Sequence, residues 1–384
     1  MKELKEFESS LTNVSKEETI RKVFANALDK GIAIAAYSLP DSKKVTIIAG
    51  KITEKPPLLE AAEPGFILSP FFNEQSPVSF IAADVEITLS ENNIESKGKA
   101  TLKALLLKDT PLVLPEIPEV DYSKPGNYQE IVLKAVEEIR KGVLKKVVVA
   151  RKKRAAATKP IEVIFLSLVN AYPSAFTALI FHPNFGIWIG ASPELLIHLN
   201  KEKIFKTIAL AGTIKAPATG NVNNTSWSQK EIEEQALVSK YIVNCFKKLR
   251  LREYEEEGPK SILSGNLIHL KTTYNINTQA SNFPFLASQM LQLIHPTSAV
   301  GGMPREEALR FITENEHLER VLFAGFWGPV NINQEINLYV NIRCARLFNN
   351  FALLFAGAGI TEASDPEKEF FETEIKMEAI ASKL

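Results

Sequence analysis

Cysteine is nearly missing from this 384-residue sequence: Cys245 and Cys344 stand about a hundred positions apart. That spacing suits two reduced thiols and gives neither a disulfide framework nor a zinc site. Long apolar runs are missing too, since no segment supplies the roughly 18 uninterrupted apolar residues a membrane-spanning helix needs. The start, MKELKEFESSLTNVSKEET, alternates charged and polar residues where a secretory signal would be continuously apolar. The expectation is a cytoplasmic protein with no membrane partner. An excess of one charge is also lacking: 45 basic against 45 acidic residues leave a formal net charge of zero, so no overall field attracts nucleic acid. The five histidines, at 182, 198, 269, 295 and 317, show no metal-ligand spacing. Neither a Gly-x-Ser-x-Gly elbow nor a phosphate-cradling P-loop occurs, which removes the usual support for a hydrolase or a nucleotide triphosphatase.

What is present is enough apolar material for a large core: 45% of residues are hydrophobic and 23% charged. Residues 1–108 mix helical and strand patterns without a chemical motif, and Asp109 to Tyr128 reads as a proline-rich connection. Ile131, Ala135 and Ile139 then recur every four residues, one face of a helix, with Gly142 as its stop. KKVVVARKKRAA from Lys145 reads as a strand. TALIFHPNFGIWIGASPELLIHLN from Thr177 reads as strand, turn at His182-Pro183-Asn184, strand. INLYVNIRCARLFNNFALLFAGAGI repeats that grammar, split at Asn349-Asn350, so antiparallel sheet dominates the C-terminal two-thirds. Helices are expected from about Ser228 to Arg250 and after Ser364-Asp365-Pro366-Glu367, which has capping-box spacing.

Several residues on these elements could carry chemistry. Glu234 lies three, four and seven positions before Leu237, Val238 and Tyr241 and so shares their apolar face, although pairing with Lys230 as an ordinary helix charge explains it as well. Glu369, Glu372 and Lys376 share one side of the last helix, as a cation-and-anion site or as a surface ladder. Two glutamates from separate helices suit Mg²⁺, which keeps most of its waters. Gly357-Ala358-Gly359 reads as a glycine-rich turn able to present N–H groups to a carboxylate. It is no dinucleotide fingerprint, because Glu362 occupies the third glycine position. Arg343, placed by alternation on the strand face opposite Ile342 and Cys344, could grip the same anion as a fork. Lys146, at the mouth of a valine-rich strand, reads on its own as a snorkelling surface residue.

Taken in order, KVVVAR at Lys146, GASPELL at Gly190, TIALAGT at Thr207, KEIEEQ at Lys230, HLKT at His269, HPTSAVGGMP at His295, AGFWG at Ala324, IRCAR at Ile342 and AGAGITEASDPEKEFFETEIK at Ala356 resemble the chorismate-utilising enzymes. The resemblance runs from about Tyr128 to the C-terminus. It implies an α+β fold, two large antiparallel β-sheets packed as a sandwich with helices outside, in a single domain over 1–384 with a variable part over 1–115 and the motif-bearing core over 120–384. The implied substrate is chorismate and the implied cofactor Mg²⁺, in a monomer or weak dimer.

Within the family, lysine at position 146 is similar to isochorismate and salicylate synthases. Ala211 stands where aminodeoxychorismate synthases often carry a lysine, so an aminated product, as in anthranilate or aminodeoxychorismate synthesis, is disfavoured. The resemblance implies that Lys146 deprotonates water for attack at C2 while Glu194 protonates the hydroxyl leaving C4, both groups tuned by burial. Glu234 and Glu372 would bind magnesium, with Glu231 and Glu369 acting through water. Arg343, Lys376 and the Gly357 backbone would hold the enolpyruvyl carboxylate, His269 would lie near the reacting edge of the ring, and Ala211, Gly212 and Thr213 near the ring carboxylate. Three positions depart from the family pattern: Gln235 stands for a histidine, Ser298 for the proline of HPTP, and Phe323 for a tyrosine. The last weakens the salicylate synthase alternative, in which pyruvate is also eliminated.

Overall fold

Apolar runs that look continuous in the sequence become strands buried on both faces. The structure, a computed structural model, describes residues 15–53, 58–72, 78–91, 93–99, 102–103, 106, 108–116, 125–216, 225–264 and 267–384. In the strand Ala33–Ser38 every residue is buried; Ile34 and Ala36 enter one core, while Ala33, Ala35 and Tyr37 enter another. In Gly186–Ser192 the same period of two sends Ile187 and Ile189 to the first and Trp188 to the second. A sheet covered on both sides needs apolar side chains at successive positions, which is why these strands do not alternate with polar residues.

The strands form a ten-stranded and a nine-stranded sheet, with every strand pair antiparallel. One core fills the space between the sheets. The second lies between the ten-stranded sheet and helices that include Lys16–Lys30 and Ile161–Ala171. The helix Gln229–Lys248 packs on the strands Ile204–Lys215 and Leu267–Asn277 of the nine-stranded sheet, and Pro366–Ala381 packs on Phe351–Ile360 of the other. This is the α+β sandwich with outer helices expected above. No helix among the described residues is long and apolar enough to cross a membrane.

Two segments read as simple strands turn out to switch sheets. Gly186–Ser192 ends in the ten-stranded sheet and Leu195–Leu199 begins in the nine-stranded one, while Glu335–Val340 and Cys344–Phe348 make the same crossing in reverse. The crossings lie side by side. Ser192 Oγ donates to the Val340 carbonyl (2.6 Å), the Val340 N–H to Glu194 (3.0 Å) and the Ala191 N–H to Arg343 (3.0 Å). Arg343 is therefore outside the strand assigned to it, with φ 51° at the bend, and alternation does not set its direction.

Smaller differences have local causes. The helix expected over Ser228 to Arg250 is Gln229–Lys248 with Ser228 as N-cap. The last helix is capped one residue later than the Ser364 spacing suggests: Asp365 accepts from Glu367 and Lys368, while Ser364 Oγ accepts from the Thr361 N–H. Gly357 and Gly359 lie inside the strand Phe351–Ile360, paired to Ala150 and Val148, so the expected turn is absent. Of the connection expected at Asp109 to Tyr128, residues 109–116 have no regular structure, 117–124 lie outside the described residues, and a helix already runs from Pro125.

Candidate active site

Lys146 opens the strand Lys146–Ala156, and its side chain is 1% exposed, against the surface placement its position suggested. Its Nζ lies 2.8 Å from Glu234 Oε1, so Glu234 pairs across to the sheet and not along its own helix to Lys230. Gly359 faces the pair: a Cβ there would come within 2.3 Å of Glu234 Oε1 and 2.9 Å of Lys146 Cε, so both side-chain ends would have to move. Burial alone would raise the Glu234 carboxyl, but Lys146, with Lys376 and Lys230, draws it below the usual carboxylate range.

Glu194 sits in the first sheet crossing, 6% exposed. Burial lifts its carboxyl to about 7; Lys146, Lys376 and the Thr297 hydroxyl pull the other way. Lys146 and Glu194 line one cavity of about 80 Å³ that opens between the sheets and the two helices. Ala211, Gly212, Thr213, Glu234, His269, Arg343, Gly357, Glu372 and Lys376 line it as well; Glu231 and Glu369 do not. Phe323, Phe355, Ile342 and Val148 give it an apolar wall, with the two phenylalanine rings stacked at 5.6 Å.

His269 is held by a bulge in the neighbouring strand. The register shifts between Ala211 and Thr213, Gly212 takes φ 68°, and its freed carbonyl lies 3.0 Å from His269 Nδ1. A carbonyl can only accept, so Nδ1 carries the proton, and Nε2 is a buried acceptor that no group among the described residues meets. Burial, with Arg343 adding to it, lowers the imidazole to about 3. His269 is thus a neutral hydrogen-bond acceptor.

Arg343 projects from the second crossing, and burial lowers its guanidinium to about 10 against the pull of Glu372. Lys376 donates to the Gly357 carbonyl (2.8 Å) and pairs with Glu372 one turn earlier (2.7 Å), as the helical spacing suggested. Lys230 reaches from the other helix to Glu369 (2.5 Å), whose carboxylate is 1% exposed. Burial, with Glu372 beside it, raises Glu369 despite Lys230. Glu231 accepts from its own helix N-cap, the Ser228 N–H, at 2.9 Å. Gln235, the residue after Glu234, is buried and donates to Thr272 Oγ1 (3.0 Å) and the Ala209 carbonyl (3.3 Å), which fixes the helix against the sheet. Arg151 fixes the last helix by donating to Thr373 Oγ1 (2.6 Å) and to Glu374.

The sequence named Gly359 only as part of a turn and Thr297 only within the HPTSAVGGMP motif, and neither role was read. A second small residue two positions from Gly357, on the same strand face, was the available signal for Gly359; nothing marked the role of Thr297. Among the described residues no group of three or more His, Cys, Asp or Glu side chains is placed to hold a metal. Glu234 and Glu372 nevertheless line the cavity together, paired with Lys146 and Lys376, and this donor set suits a hard cation that retains water and substrate oxygens.

A wider groove of about 510 Å³ contains Ser79 and His182 at 2.8 Å. There His182 Nδ1 accepts from the Asn184 N–H, so Nε2 donates to Ser79 and cannot take its proton. That pair is structural.

A family model described as "Chorismate binding enzyme" matches residues 78–384, and the chain belongs to that family. Among curated relatives, the isochorismate synthase EntC of Escherichia coli strain K12 is 33% identical over 199 residues, 50% of this chain and 49% of EntC. The isochorismate synthase MenF of Bacillus subtilis strain 168 is 27% identical over 304 residues, 75% of this chain and 63% of MenF. The matches thus span about half of EntC and under two thirds of MenF. Among solved structures, MenF, the menaquinone-specific isochorismate synthase from E. coli, superposes with a TM-score of 0.76 at 20% identity, over 97% of this chain and 92% of that one. Anthranilate synthase component I from Streptococcus pneumoniae gives 0.67 at 19%, over 91% and 90%. These two likenesses speak to the fold.

Proposed function

We propose that the protein is an isochorismate synthase, a magnesium-dependent isomerase that adds water at C2 of chorismate and expels the C4 hydroxyl. The observation that supports this best is Lys146 and Glu194 in one cavity, a buried amine and a carboxyl that burial lifts to about 7. Lys146 leaves Glu234, gives its ammonium proton to bulk water, and as the neutral amine takes a proton from the water whose oxygen bonds to C2. The ring double bonds shift, the C4–O bond breaks, and Glu194 gives its proton to the departing hydroxyl. One water enters and one leaves, so chorismate and product are isomers. Each proton transfer contributes about 10²–10⁴-fold in rate. His269 accepts a hydrogen bond from a ring hydroxyl through Nε2. Arg343 and Lys376 hold the enolpyruvyl carboxylate, and the backbone at Ala211 to Thr213 borders the ring carboxylate. Glu234 and Glu372 would hold magnesium, which supplies positive charge against that ring carboxylate; Glu231 and Glu369 would act on it through water. The whole chain, 1–384, acts as one catalytic unit.

Chromatography of the products of purified protein with chorismate and Mg²⁺ tests this. Isochorismate without pyruvate is expected. Pyruvate with salicylate would assign the salicylate synthase alternative, and dependence on ammonia an aminating one.

A further inference from the structure

At the acidic end of the cavity each carboxylate is met by an ammonium of the chain itself: Glu234 by Lys146, Glu372 by Lys376 and Glu369 by Lys230. Lys146 and Lys376 have chemical or substrate-binding tasks. Lys230 stands one turn before Glu234 and reaches 139 positions along the chain to Glu369. An ordinary surface bridge does not describe this contact, because Glu369 is 1% exposed and, among the described residues, has only Lys230 and the Ser364 hydroxyl as hydrogen-bonding side-chain neighbours. Glu372 and Glu234 are the other carboxylates that feel the Lys230 charge.

We infer that Lys230 is a resident counter-cation of the metal site, whose ammonium balances the carboxylate cluster when magnesium is absent and sets how tightly the ion binds. The inference rests on the proposal that Glu234 and Glu372 hold magnesium. Three ammonium groups against three carboxylates leave this end of the metal-free pocket near neutrality, so it attracts a divalent cation only weakly from solution. A dianionic substrate tips that balance, and metal and substrate therefore bind with positive coupling. Removing one resident charge shifts metal affinity toward the substrate-free protein.

Calorimetric titration of Mg²⁺ into the full chain, without and with chorismate, tests this in wild type, Lys230→Met and Glu369→Gln. Without chorismate, Lys230→Met is expected to bind Mg²⁺ about tenfold more tightly than wild type, because the removed charge lies within a few ångströms of the cluster at intermediate dielectric. Glu369→Gln, which leaves the Lys230 charge unbalanced, should bind it more weakly. Chorismate should tighten Mg²⁺ binding more in wild type than in Lys230→Met. Equal or weaker Mg²⁺ binding by Lys230→Met overturns the inference while leaving the magnesium site in place. If wild type takes up no Mg²⁺ even with chorismate, the magnesium assignment and this inference fall together.

Discussion

The strand-borne and helix-borne groups of the cavity are built differently. Lys146, Glu194, His269, Arg343 and Gly357 sit on strands or at the two sheet crossings, where hydrogen bonds on either side fix the backbone. Glu234, Glu369, Glu372, Lys230 and Lys376 project from two helices laid on the sheets; Lys230 pairs with Glu369 and Lys376 with Glu372, while Glu234 reaches across to Lys146. The sheets thus hold the groups proposed to move protons and recognise the ring, where small displacements are most costly. The helices carry the exchangeable charges.

The largest expected effects come from the strand side. Lys146→Ala should lower turnover by about 10²–10⁴-fold while chorismate still binds, as rate measurements and calorimetry would show; Glu234→Ala, on the helix side, should lose the Mg²⁺-dependent activity. Unchanged turnover in either variant removes the assigned role. Gly359→Ala inserts a methyl between strand and helix at the Lys146–Glu234 pair. It should cost at least about tenfold in kcat/KM with the circular dichroism spectrum unchanged, given the sensitivity of catalysis to shifts of an ångström; full activity would mean that the pair is dispensable. Arg343→Lys replaces a fork by a point charge, and KM should rise about tenfold or more with kcat less affected.

The smallest effect is thermodynamic. A carboxyl raised to about 7 in the folded protein keeps a proton that the unfolded chain releases near 4.5. Its stabilising contribution is complete below about pH 4.5 and is lost as pH rises through 7, on the order of 3 kcal/mol in all. His182, His269 and His295, lowered by burial to about 4, 3 and 4, act oppositely and lose stability as pH falls below their ordinary value. The difference between wild type and Glu194→Gln isolates the carboxyl: denaturant titrations at pH 5 and 8 should show a gap that shrinks with pH in that sense. A pH-independent gap would place Glu194 in a more polar setting. The same protonation makes wild-type kcat/KM fall as pH rises above about 7.

Legibility in the sequence follows the same division. Glu369, Glu372 and Lys376 announce a shared helix face by their spacing, and the apolar companions of Glu234 mark its helix as packed. The sheet content was readable from β-branched runs and turns. Glu194 was visible only through family resemblance and Arg343 was assigned to a strand it does not occupy, because a chain passing from one sheet to the other keeps the composition of a continuous strand. Lys146 misled for a related reason: one lysine beginning a valine-rich strand looks the same whether its end of the strand meets water or a cavity, and only Glu234 and Gly359, far along the chain, decide between them.

Turnover in ¹⁸O-labelled water tests the proposed chemistry most directly. If Lys146 activates solvent while Glu194 releases the old hydroxyl, isochorismate formed by the wild-type protein carries one labelled oxygen, at C2. Product with unlabelled oxygen at C2 would mean that the hydroxyl migrates within the substrate, and the assignment of the two groups would be wrong.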